Sequence, residues 1–88
     1  MLFKPAGQRE LEELIDGFAR SYLRGHARNS PEGRAEICRE ISELADRLRA
    51  NGRERAVRGA RRYRSVLHAA LPQHARLEMD RMVAEALS

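Results

Sequence analysis

Apolar residues recur along this chain at steps of three and four, and the pattern is interrupted at Gly7, Gly25, Pro31, Gly52 and Pro72. That rhythm is helical, because residues three and four apart share one face of an α-helix. Four segments result. Over residues 8–24, Leu11, Ile15, Phe18 and Tyr22 form a stripe that Leu14 and Ala19 widen. Glu10, Glu12 and Glu13 sit in its first turns and Arg20 and Arg24 near its far end, the placement that the helix dipole favours, and Gly25 is the expected stop. Ser30-Pro31-Glu32 opens the second segment, 31–50, with a hydroxyl able to accept a backbone N–H and a proline whose missing amide costs nothing at that position. Ile37, Ile41, Leu44 and Leu48 then step along one face until Asn51-Gly52, a pair suited to a left-handed stop.

A third helix is expected over 53–70, with Ala56, Ala60, Tyr63, Leu67 and Ala70 on its inner stripe. Gly59 lies inside it, where glycine costs about 1 kcal/mol relative to alanine, so either a neighbour packs closely there or the helix is locally weak. The fourth, 73–87, turns Ala75, Met79, Met82, Val83, Ala86 and Leu87 inward. Strand-like alternation is absent. The expected fold class is therefore all-α, a compact bundle of about four amphipathic helices forming one domain over 1–88, with residues 1–6 a short flexible or loosely packed N-terminal segment.

A chain of 88 residues buries only about 60–65% of its unfolded surface, and the alanine-rich faces of the third and fourth helices bury little area per residue. A homodimer would supply the missing burial. Uninterrupted apolar stretches reach only three residues, as at Ala69-Ala70-Leu71, against about 20 for a membrane span. The start, Met1 to Pro5, lacks a basic stretch followed by an apolar one, so a cytoplasmic location and no membrane partner are expected. Cys38 stands alone, which excludes an intrachain disulfide and a cysteine-rich zinc site.

Charge changes the picture more than composition does. Between Arg47 and Arg64 the chain carries eight arginines (47, 49, 53, 55, 58, 61, 62, 64) and one acid, Glu54. That window is +7, and the remainder of a chain of net charge +4 is −3. At about 100° per residue, Arg55, Arg58, Arg61, Arg62 and Ser65 fall on one arc opposite Ala56 and Ala60. Guanidinium forks bind phosphate or carboxylate bidentately and stay charged, so this arc is the candidate site for an anionic partner. Nucleic acid, DNA or RNA, is the first reading, through its phosphate backbone. Two blander origins compete with it. The ridge Glu32, Glu36, Glu40, Glu43 could sit beside Arg61, Arg62 or Arg64 and neutralise them, and 16 arginines to one lysine is also what a GC-rich genome writes without selection for forks.

Base-specific reading is disfavoured, because a helix-turn-helix register with Gly52 at its turn puts Arg47, Asn51, Arg53 and Arg58 where apolar residues belong. Stacking on single strands needs exposed aromatics, and of Phe3, Phe18, Tyr22 and Tyr63 only Tyr63, between two arginines, is placed for it, with a core role favoured even there. No catalytic constellation is visible. His68 and His74 are six apart across Pro72, which is not a one-face metal spacing, His26 falls in a loop, and Glu78 and Asp80 point to different faces. No cofactor, metal, catalytic residue or small-molecule substrate is expected. The function read from the sequence is a small non-enzymatic binding or regulatory module. The alternative is a protein-interaction module, an adaptor, chaperone or small inhibitor of the kind mobile elements encode, that docks on an acidic protein surface or a nucleoprotein complex, with Met79, Met82 and Tyr22 as its anchors.

Overall fold

A computed structural model describes residues 3–88, so Met1 and Leu2 of the N-terminal segment lie outside the described residues. Among the described residues four α-helices form, α1 (Gln8–Arg20), α2 (Pro31–Ala50), α3 (Glu54–Arg62) and α4 (Gln73–Leu87), with a single 3-10 turn at His68–Ala70. No strand occurs among the described residues. The chain is an all-α bundle in which α2, the longest element, packs most extensively on α1 and α4, while α3 closes against α1.

The second helix begins and ends where its residues dictate. Ser30 Oγ accepts the Gly33 amide at 3.0 Å, and Pro31 occupies the first helical position. At the other end Arg53 N donates to Leu48 O (2.7 Å) and Gly52 N to Arg49 O (3.0 Å) across Gly52 at φ +73°, the paired bonds that close a helix through a left-handed glycine.

Two expected helix ends are corrected. α1 stops at Arg20 and not at 24, because Ser21 Oγ donates back to Phe18 O at 2.5 Å and the next amides bond three residues back: Tyr22 N to Ala19 O and Leu23 N to Arg20 O. Gly25, at φ +85°, turns the chain five residues after Arg20. The third helix ends at Arg62 and not at 70. Tyr63 is extended (φ −69°, ψ 139°), buried Ser65 accepts the Leu67 amide on its hydroxyl, and Pro72 holds Leu71 extended at ψ 150°. Ala70, expected on the inner stripe, is exposed, and Val57, which the stripe omitted, is fully buried.

The core is continuous. Leu11, Ile15, Phe18 and Ala19 of α1 meet Ile37, Ile41, Leu44, Ala45 and Leu48 of α2. Ala56, Val57 and Ala60 of α3 and Ala75, Met79, Ala86 and Leu87 of α4 complete it. Near the N-terminus Phe3 is exposed, but Lys4 ion-pairs with the buried Glu12 carboxylate, which also accepts from Gln8 Nε2 at 2.8 Å.

The turn between α1 and α2 lies directly on the first turn of α2 at Gly33. A Cβ there would stand 2.6 Å from Arg28 O and 2.9 Å from Arg28 Cα, both backbone atoms. In an open helix, alanine for glycine stabilises by about 1 kcal/mol. Here Gly33→Ala is expected to destabilise by about 1–3 kcal/mol, the range of an overpacked site, read as a lower urea midpoint. A midpoint raised by the substitution would show that the turn is free to move.

Candidate anion-binding face on the third helix

The register of α3 sorts its arginines. Ala56, Val57 and Ala60 are buried, which fixes the opposite side outward and leaves Arg55, Arg58 and Arg62 in one exposed row. Seven residues separate the ends of the row, about 10 Å of helix axis. A groove of about 410 Å³ runs along it, lined by Pro5, Gln8, Arg55, Arg58, Gly59 and Arg62. Gly59 explains the groove's shape. Its missing side chain leaves the space that the Gln8 amide occupies, so the start of α1 lies directly beside the arginine row. The positive end of the α1 dipole adds to the guanidinium field at that point.

Among the described residues, Arg47, Arg53, Arg55, Arg58 and Arg62 form no ion pair. Their neighbours in sequence are committed elsewhere. Arg61, expected on the same arc, donates Nη2 to Leu87 O at 2.9 Å, and Arg49 donates to the same carbonyl and, at 3.1 Å, to Glu54. Both guanidiniums therefore cap the negative end of α4. Arg64 approaches Asp80 at 3.5 Å.

The glutamate ridge forms no ion pair with Arg61, Arg62 or Arg64 among the described residues. Glu40 pairs with Arg28 at 2.7 Å, and Glu40 and Glu43 join Glu10 and Glu13 around a second groove of about 410 Å³ between α1 and α2, where Arg47 is the one cation against four carboxylates among the described residues. The molecule thus carries an acidic groove between α1 and α2 and a basic row on the outer side of α3, a separation that orients it in the field of a polyanion.

Tyr63 is not placed to stack on a base. It is half-buried, its hydroxyl donates to the Asp16 carboxylate at 2.9 and 3.1 Å, and Lys4 Nζ lies 5.6 Å from the ring centroid. Burial first, then the hydrogen bond to Asp16, pushes its hydroxyl up from the usual tyrosine value and keeps it a donor.

Nothing in comparisons with family models, curated proteins and solved structures matches this chain. The reading of the site therefore rests on its own geometry. Among the described residues, no group of three or more His, Cys, Asp or Glu side chains converges as metal ligands would, and no helix is long and apolar enough to cross a membrane.

The three residues expected to anchor a protein partner are placed differently from one another. Met79 is core, 3% exposed. Met82 and Tyr22 are half-buried against that core, Tyr22 edge-on to Phe18 at 5.5 Å and beneath the Arg34 guanidinium at 4.6 Å. Burial, and then Glu78, pushes the Tyr22 hydroxyl up to about 12.

Cys38, half-buried against the core, has its thiol pushed up to about 11 from 9.0 by burial and secondarily by Glu85. A group that holds its proton more tightly in the folded state contributes stability that is full below its unfolded pKa and lost as pH rises through the folded one. For Cys38 that window runs from 9.0 to about 11, and for Tyr22 from 10.0 to about 12. Folding stability is expected to fall above about pH 9 on account of both groups, with the lower part of the fall missing in Cys38→Ala, as measured by urea midpoints on either side of about pH 10. Identical alkaline profiles for the two proteins would remove Cys38 from this account.

Proposed function

We propose that the protein is a non-enzymatic binding module that docks the arginine row of α3 on the phosphate backbone of a nucleic acid. The observation that carries the reading is the row itself: Arg55, Arg58 and Arg62, exposed, without ion pairs among the described residues and aligned along one groove. Charges that serve only solubility are expected to be scattered or paired within a small domain. Here their neighbours Arg49 and Arg61 are tied into the fold and the row is left outward. In this mechanism each guanidinium replaces condensed counterions on a phosphate, which supplies affinity without reading sequence. The acidic groove between α1 and α2 is repelled by the same polyanion and keeps that face turned outward.

The test is fluorescence anisotropy with labelled duplex DNA, single-stranded DNA and RNA. Three phosphate contacts give a salt slope near −2.7 on duplex DNA, so affinity is expected to fall about 40-fold between about 50 and 200 mM salt, and about 20-fold on a single strand. A steeper slope reports further contacts, from Arg53 or from a second copy in a dimer. Absence of binding at the lowest salt would sink the reading in favour of an acidic protein surface as the partner.

A further inference from the structure

A second cavity lies on the other side of α3, and no pattern in the sequence announces it. Where α3 ends and the chain runs extended through Tyr63 towards α4, the connection, α1 and α4 together enclose a space of about 260 Å³. Its floor is apolar: Ile15, Met79 and Leu87 are core residues and Val83 is half-buried against them. Its rim is polar, formed by Arg61, Arg64, His68 and Asp80. An apolar floor with a few convergent polar groups is the composition of small-molecule sites, and the volume lies just below their usual range of about 300–1,000 Å³.

The rim groups differ in how firmly they are held. Arg61 is fixed by its bond to Leu87 O at 2.9 Å through one amino group, which sets the guanidinium at the cavity while its remaining donors are not spent on that carbonyl. Arg64 is 71% exposed and reaches Asp80 only at 3.5 Å, a contact that an incoming carboxylate can replace. His68 Nε2 lies 3.1 Å from the same Asp80 oxygen. Two guanidiniums therefore face the space together with one carboxylate, and Asp80 penalises a ligand carrying two negative charges more than one carrying a single charge.

We propose that this cavity binds a small organic monoanion, a carboxylic acid with one aromatic ring or a branched aliphatic body. The apolar body lies on Ile15, Met79 and Val83, and the carboxylate bridges Arg61 and Arg64. The site is independent of the Arg55, Arg58, Arg62 row, so nucleic-acid binding and acid binding can fail separately.

Titration of the nitrogen-15-labelled chain by NMR tests it, with benzoate as probe and benzyl alcohol and phenyl phosphate as neutral and dianionic comparators. Saturable benzoate shifts are expected at the amides of residues 61–68 and 79–87, with affinity at least fivefold better than for either comparator. Two exposed positions provide the variants. Arg64→Ala is expected to weaken benzoate at least fivefold, and Ala84→Met, which fills the mouth, to abolish the shifts, with unchanged melting temperature certifying the fold of each. The proposal is overturned by an absence of saturable shifts, by shifts centred on Arg55 and Arg58, by comparators that bind as well as benzoate, or by benzoate binding that ignores both substitutions.

Discussion

Changing Arg55, Arg58 and Arg62 together to alanine is expected to weaken nucleic-acid binding by about 100-fold at moderate salt and to leave the fold intact. Each is an exposed guanidinium with no ion pair among the described residues, so its removal breaks no contact that the bundle uses. A solvated charge contact is worth about 1 kcal/mol, and three lost contacts, at 1.4 kcal/mol per factor of ten, amount to about two orders of magnitude. The salt slope should become shallower by nearly 3, because each lost phosphate contact withdraws about 0.9 from it. Arg61→Ala is the informative comparison. That side chain is spent on Leu87 O, so its loss should lower stability by about 1 kcal/mol and leave the salt slope unchanged. A triple variant that binds as the parent does would dismiss the row, whatever the affinity.

Phe18→Ala is expected to cost about 3–5 kcal/mol, the range for emptying an aromatic site in a packed interior. Phe18 is the largest of the fully buried side chains and sits where α1 meets the rest of the core, with the Tyr22 ring edge-on to it at 5.5 Å. A domain of this size is stable by only about 4–13 kcal/mol in total, so the substitution removes roughly a quarter or more of what holds the bundle together. At 4–8 °C per kcal/mol the melting temperature should drop by at least about 12 °C, measurable by circular dichroism. Leu77, 63% exposed on α4, is the control: Leu77→Ala should stay within about 0.5 kcal/mol of the parent. A Phe18→Ala variant that melts with the parent would mean that the α1 face is not packed as described.

Much of this fold is legible in the sequence, and for identifiable physical reasons. The limits of α2 at Pro31 and Ala50 follow from Ser30, Pro31 and Gly52, whose signals act within four residues of the chain and need no partner. Gly59 is compatible in sequence with a close neighbour or a locally weak helix, and the structure places Gln8, some fifty residues away in sequence, against it. The ends of α1 and α3 were misplaced because apolar spacing continues past both. The stripe through Tyr22 and through Leu67 is real, but those side chains reach the core from turns and not from helices. What stops the helices is a set of hydroxyl-to-backbone bonds at Ser21 and Ser65 together with the long-range anchor of Tyr63 on Asp16. Serine is compatible with helix and turn alike, so nothing local distinguishes the two outcomes.

The helical class, the apolar faces, the start and stop of α2 and the concentration of positive charge around α3 are local properties of the chain. Each of these depends on residues a few positions apart, where period and capping chemistry act directly. Which arginines are available is set by contacts between distant segments. Arg55, Arg58, Arg61 and Arg62 share an arc on a helical projection, yet Arg61 lies at the edge of that arc beside the C-terminal carbonyls of α4, which no local pattern places there. Packing likewise placed Glu40 and Glu43 of the ridge at a groove between α1 and α2, and opened the cavity that Tyr63 helps to line. The period of a helix assigns side chains to its faces, but what each face meets depends on how distant segments are brought together.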